Sequence, residues 1–339
     1  MFAWRARTCL GGMARQALAG RLVVSAAVAL LAFTSDPKGA SAAPSQHDQA
    51  FRAKLGAVLD DYLATRRKPE GISAISAFVS QGGGKPSFSV VTGTTSRTSR
   101  VPIDDRTLFE IGSTTKSFTS ALVLKEEAAG HLDVDQTLGQ WLPRYGAWRD
   151  ESIRRLLNMT ARIPTYSEAP ALQRLMAADR SRHYRPRELV AYAYPSATVH
   201  LPPPTDPWFY SNTNYILAGL IVAKSAGVSY PTQLRRRIFE PLGLDDTFYS
   251  ARGLPEAVIR RMASGYFENA ACGLYQPDCR RSTLAPLLGA DMRTADLTWA
   301  AAAGGIVSTP RDLSGCETSL ARLTTSMALG RAQGSDGGR

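Results

Sequence analysis

The stretch Phe109-Glu-Ile-Gly-Ser113-Thr-Thr-Lys116-Ser-Phe118, running on to Gly130, constrains this chain more than any other. An apolar lead-in reaches a glycine and a serine, then a run of helix formers. Phe118, Ala121, Leu122, Val123, Leu124, Ala128 and Ala129 are too many for one face, which predicts a helix buried nearly all round. Gly130 stands where a C′ glycine would end it. Ser113 and Lys116 are three apart at its start, so on a helix both lie on one face. A hydroxyl and an amine held together in a buried first turn can make an activated nucleophile. Taken alone, Ser-x-x-Lys reads more readily as a serine cap beside a solvated lysine, and the rest of the chain decides between the two.

The N-terminus reads as an address. Arg5, Arg7, Arg15 and Arg21 precede the apolar run from Leu22 to Phe33, and small residues follow, ending Ala40-Ser41-Ala42. This is the layout of a secretory signal peptide cut after Ala42, with Met13 an alternative start. The apolar run is too short to span a bilayer as a helix. Export to the periplasm or the exterior is expected, and residues 43–339 are enough for one large domain. The net charge of +11 has no long basic run interleaved with aromatics behind it, and its densest cluster, Arg235-Arg236-Arg237, falls in an amphipathic helical pattern. A solvated surface is expected, without nucleic acid. Cys272 and Cys279 bracket a short loop with turn residues inside it, where a disulfide is plausible in an exported protein. The four histidines (47, 131, 183, 200) are scattered, so neither a metal nor another cofactor is expected.

Along the chain, residues 46–67 carry Phe51, Leu55, Val58, Leu59 and Tyr62 at helical spacing, stopped by Pro69-Glu70-Gly71. Ile72–Val79 and Ser87–Val91 read as a hairpin around a glycine-rich turn. Asp133 and Asp135 read as caps and surface charge rather than a metal loop. A proline-rich loop, Leu201-Pro-Pro-Pro204, delivers Trp208-Phe-Tyr210-Ser-Asn212, after which helices are predicted over 216–227 and from Tyr230 to Gly243. Residues 131–245 therefore form a mainly helical insertion. Residues 300–310 read as a loop and short strand. Beyond Leu313 periodicity weakens and Ser, Thr, Gly and Ala dominate, so 314–339 reads as a tail of different character.

Together these residues resemble the serine β-lactamase and penicillin-binding-protein family, in its class C β-lactamase and D-alanyl-D-alanine carboxypeptidase branch. The first motif is Ser113-Thr-Thr-Lys116 within Phe109-Glu-Ile-Gly-Ser, and the second is Tyr210-Ser-Asn212. Gly130-His-Leu-Asp133, Leu156-Leu-Asn-Met-Thr160, Phe239-Glu-Pro-Leu-Gly-Leu244 and Ala303-Gly-Gly-Ile-Val-Ser-Thr309 match in the same order, over roughly residues 48–313. The resemblance implies an α/β fold: an antiparallel sheet flanked by helices, with the helical insertion above, in a domain over 43–313. It implies an exported serine hydrolase that acts as a monomer on a small-molecule or peptide substrate, among D-alanyl peptides, β-lactams and small esters. Ser113 would be acylated, Lys116 or Tyr210 would be its base, and Asn212 would bind Lys116 and the substrate amide. Two departures stand out. Thr160-Ala161-Arg162 replaces the family's Thr-Ser-Gly, and the third motif, Lys-Thr-Gly or His-x-Gly, has no counterpart after Lys224 and His200. The C-terminal strands are therefore expected to be missing, as in a truncated product. The alternative to catalysis is a ligand-binding descendant or an inactive truncated product.

Overall fold

The computed structural model describes residues 45–80, 87–268 and 283–315, all within the compact unit Ala43–Arg339. The expected leader, the turn at 81–86, the Cys272–Cys279 pair and the tail after 315 lie outside the described residues.

Helix α1 (Gln46–Glu70) starts at Ser45, whose hydroxyl accepts the Asp48 amide while Asp48 reaches back to the Ser45 amide. This reciprocal cap satisfies two of the donors a helix start leaves orphaned. The helix outruns its expected end at Arg67 because Pro69 is tolerated in its last turn, and Gly71, at φ 67°, is the residue that ends it. α1 packs on an antiparallel pair, β1 (Ala74–Val79) and β2 (Phe88–Gly93), in the register Ala74 opposite Gly93. Gly93 has φ 93°, and a Cβ there would stand 2.3 Å from the Ser73 carbonyl, so this position needs glycine.

A second antiparallel sheet has three very short strands in the order β3 (Phe109–Glu110), β5 (Ile306–Ser308), β4 (Phe248–Tyr249). Between β3 and β4 run the helices: α2 (Thr115–Ala128), α3 (Leu138–Trp141), α4 (Ile153–Leu157), α5 (Pro170–Ala178), α6 (Pro186–Ala191), α7 (Asn212–Ser225) and α8 (Tyr230–Leu234). The fold is thus α/β with small antiparallel sheets and a mainly helical middle, as expected. α5 was not anticipated, and α7 starts four residues before its expected start at Ile216.

The main core joins α2 to α7. Phe118, Leu122 and Val123 of α2 meet Ile216, Leu217, Ile221 and Val222 of α7 with no more than 1% of any of them exposed. α7 is the helix buried on nearly every side, because residues 213–219 are all buried. α2 is buried along its middle but keeps Ser117 and Ala128 exposed, so the expectation of burial all round holds only in part. Gly130, at φ 73°, ends α2 as expected, with its amide on the Glu127 carbonyl and that of His131 on the Glu126 carbonyl. α8 passes through a π turn (Arg235–Phe239) before Gly243, at φ 62°, closes the segment.

Candidate active site

The nucleophile candidate sits at a junction between sheet and helix. Ser113 lies in a 3-10 turn, Gly112–Thr114, that links β3 to α2. Gly112 has φ 50°, and this left-handed step turns the chain from the strand into the helix. The Ile111 amide donates to the Ile306 carbonyl, which keeps the approach to the turn on β5. Two threonines clamp the first turns of α2 to the segment before β5. The Ile306 amide donates to Thr115 Oγ1 at 3.2 Å, and Thr119 Oγ1 donates to the Ala302 carbonyl at 2.7 Å. In this clamped position the Ala303 carbonyl stands over Lys116.

The structure brings all four expected site residues together. Lys116 Nζ lies 3.1 Å from Ser113 Oγ, 2.8 Å from Asn212 Oδ1 and 2.8 Å from the Ala303 carbonyl oxygen. The Tyr210 hydroxyl is 2.5 Å from Ser113 Oγ. Ser113 is exposed while Lys116 is 7% exposed, so the hydroxyl faces solvent and the amine lies behind it. Nζ also stands 4.7 Å from the Tyr210 ring centroid and 5.6 Å from that of Tyr215.

The second motif is held by a separate set of bonds. Asn212 opens α7, its amide donating to Thr165 Oγ1 at 3.1 Å. Asn212 Nδ2 donates to Ser167 Oγ at 3.0 Å, an assignment that turns Oδ1 toward Lys116. Ser211 is fully buried, with its hydroxyl on the Pro164 carbonyl, so the middle residue of the motif anchors the loop. The Phe209 amide bonds the Met159 carbonyl and the Tyr166 amide bonds Thr213 Oγ1. These contacts tie the 158–168 segment to the start of α7. Arg162 donates Nε to the Pro204 carbonyl at 2.9 Å, joining the departure from the family's Thr-Ser-Gly to the proline-rich loop.

The electrostatics follow from this burial. Desolvation pulls Lys116 down from the usual 10.5 to about 7. Glu110, two residues before the turn, is pushed up to about 7, first by desolvation and then by the charge of Asp291. Burial raises the Tyr166 phenol far above its ordinary range, and its hydroxyl donates to the Trp299 carbonyl at 2.7 Å. Among the described residues no group of three His, Cys, Asp or Glu side chains could hold a metal ion.

Sequence reasoning did not find the Ala303 carbonyl, Thr165 or Ser167. Ala303 was visible only as part of the Ala-Gly-Gly match, because a backbone acceptor has no side-chain signature. Thr165 and Ser167 are common residue types in a segment where nothing in the local pattern marks them.

The chain resembles known proteins in sequence and in fold. The family model described as Beta-lactamase matches residues 59–337. A penicillin-binding protein of Bacillus subtilis (strain 168) is 29% identical over 171 residues, which are 50% of this chain and 36% of that protein. A β-lactamase of Providencia stuartii is 26% identical, covering 61% of this chain and 50% of its own. In structure, the D-amino acid amidase of Ochrobactrum anthropi SV3, solved with L-phenylalanine, superposes with a TM-score of 0.62 at 26% identity, over 79% of this chain and 68% of that one. The chain thus spans about a third to a half of the length of these two curated relatives.

Proposed function

Since the chain belongs to the Beta-lactamase family, we propose that it is an exported serine hydrolase in which Ser113 is acylated by an amide, β-lactam or small ester and water then releases the acid. The observation that carries this reading is the ring of partners around Lys116 Nζ. A neutral amine has two N–H donors and one lone pair. Asn212 Oδ1 and the Ala303 carbonyl can only accept, so they take both N–H groups. As an ammonium Nζ donates its third N–H to Ser113 Oγ at 3.1 Å; as a neutral amine it turns its lone pair to that hydroxyl instead. With its pKa near 7, Lys116 is substantially neutral at physiological pH and can take the serine proton.

In this mechanism Ser113 Oγ attacks the carbonyl carbon as its proton passes to Nζ. A tetrahedral intermediate forms with negative charge on the former carbonyl oxygen, and the Ser113 backbone N–H is one candidate donor for it. Collapse breaks the bond to the leaving group. Tyr210, 2.5 Å from Ser113 Oγ, is placed to protonate the departing nitrogen, and the phenolate this leaves recovers the proton that Nζ took from Ser113. A water then attacks the acyl carbon by the same proton route in reverse. Asn212 holds Lys116 and is available to a substrate amide at the mouth of the site.

The amidase resemblance favours amides, including D-configured ones, within this substrate range. The test is stoichiometric labelling with fluorescent penicillin and with a fluorophosphonate, followed by mapping of the modified residue. One label per chain on Ser113, lost in Ser113→Ala with the circular dichroism spectrum unchanged, supports the reading. Labelling that persists in Ser113→Ala, or its absence from folded wild-type protein, refutes it.

A further inference from the structure

Asn212 has a side chain that can be turned two ways, because its carboxamide presents an oxygen and a nitrogen of nearly equal size. Oδ1 on Lys116 Nζ, at 2.8 Å, accepts from the ammonium and from the neutral amine alike. Turned over, Nδ2 would meet an ammonium donor to donor, and would take the lone pair of a neutral amine away from Ser113. What lies on the far side of the carboxamide therefore bears on the base.

Two hydroxyls lie there. Asn212 Nδ2 is 3.0 Å from Ser167 Oγ, Ser167 Oγ is 2.9 Å from Thr165 Oγ1, and Thr165 Oγ1 accepts the Asn212 backbone amide at 3.1 Å. The bonds run from the main chain of Asn212 through both hydroxyls and back to its side chain. Thr165 is 4% exposed, and with its oxygen taken up by an amide donor, its buried proton is spent on Ser167 Oγ. Ser167 is half-buried, so it accepts twice, from Thr165 and from Nδ2, and leaves its own proton to solvent.

The loop that presents these hydroxyls is fixed by bonds that use neither of them. The Tyr166 amide donates to Thr213 Oγ1 at 2.9 Å, and Thr213 Oγ1 donates to the Pro164 carbonyl at 2.6 Å. Gln173 Nε2 donates to the Ser167 carbonyl at 3.0 Å, a bond that a change of the Ser167 side chain leaves in place.

We propose that Thr165 and Ser167 are positioning residues that hold the Asn212 carboxamide with Oδ1 on Lys116, so that the lone pair of the amine is kept for Ser113. The inference rests on Lys116 as the base of the reaction proposed above.

The experiment titrates Lys116 itself, by nuclear magnetic resonance of the full chain labelled at lysine Cε, with Lys116→Met assigning the signal. In Ser167→Ala the released carboxamide turns, the ammonium loses an acceptor and the neutral amine gains a donor, so the midpoint should fall by about half a pH unit or more. Penicillin labelling of Ser113 at about pH 8 should nonetheless slow by about tenfold or more, because Nδ2 now engages the lone pair. A lower midpoint alone would raise the neutral fraction and speed labelling, so the two readouts oppose each other only where the carboxamide has turned. Ser167→Thr keeps the hydroxyl and should restore both. Tyr210 and Tyr215, the titratable groups whose rings face Nζ, are unchanged in these variants. An unmoved midpoint in folded Ser167→Ala, or a Ser167→Thr protein that behaves like Ser167→Ala, would overturn the proposal. The titration needs no turnover: a shifted midpoint in protein that never labels at Ser113 supports the positioning and refutes the proposed reaction, and labelling with an unmoved midpoint does the reverse.

Discussion

Replacing Lys116 with methionine removes the amine while keeping most of the volume of the stem, and it separates what the lysine does for chemistry from what it costs the fold. The folded-state pKa lies near 7 and the unfolded value near 10.5, so this is a depressed base. Below pH 7 both states carry the ammonium, and the folded state bears the full cost of burying it. Between pH 7 and 10.5 the unfolded chain binds more protons than the folded one, so stability rises with pH over that window. The slope is about 1.4 kcal/mol per pH unit once the folded-state amine is neutral, and integrating it from pH 6 to pH 9 gives about 2.7 kcal/mol.

Methionine does not titrate. The difference in unfolding free energy, wild type minus Lys116→Met, therefore isolates this one group while the other carboxylates and phenols cancel. Urea unfolding of both proteins at pH 6, 7, 8 and 9 should show that difference rising by about 2–3 kcal/mol in favour of wild type. Over the same variants, Ser113 acylation should fall about 10²–10⁴-fold, the usual worth of a positioned base. A difference that stays flat from pH 6 to pH 9 would show that Lys116 keeps an ordinary pKa, and the argument for it as the base would fail with it.

Three further outcomes follow from the geometry. Tyr210→Phe removes the hydroxyl 2.5 Å from Ser113 Oγ, so turnover of an amide or lactam should drop about 10²–10⁴-fold, while a p-nitrophenyl ester, whose leaving phenolate needs no proton, should be far less affected; equal losses on both would deny Tyr210 its role as proton donor. Leu122→Ala, at a fully buried position between α2 and α7, should destabilise the protein by about 2–5 kcal/mol in chemical denaturation. Gly219→Val would place a Cβ 2.7 Å from the Cβ of Ala302, so a loss of about 1–3 kcal/mol is expected, readable as a lower thermal midpoint.

Much of the site was legible because its chemistry resides in side chains at characteristic spacings. Ser113 and Lys116 are one turn apart whether the turn is 3-10 or α, so the slip from a helix start to a 3-10 turn left their pairing intact. Tyr210 and Asn212 were identifiable as a motif 97 residues from Ser113, and the structure places them at hydrogen-bond distance. Gly130 and Gly243 ended their helices where expected because positive φ is a demand that few other residues meet. The start of α1 was legible at residue 46, where the structure places it, but that of α7 was less visible, because it begins at Asn212 without a side-chain cap, since Ser211 spends its hydroxyl on the Pro164 carbonyl.

The chain's own residues determined the family and the candidate set Ser113, Lys116, Tyr210 and Asn212, which begins in the stretch from Phe109 to Gly130. Tertiary structure decided how far the pKa of Lys116 falls and which groups surround its amine. Desolvation is a sum over everything packed around the amine, from α2, α7 and the segment before β5. The Ala303 carbonyl that takes one of its protons is backbone, delivered by the bond from Thr119 to the neighbouring carbonyl. Such quantities depend on distances between segments remote in the chain, and no local pattern of residues encodes them.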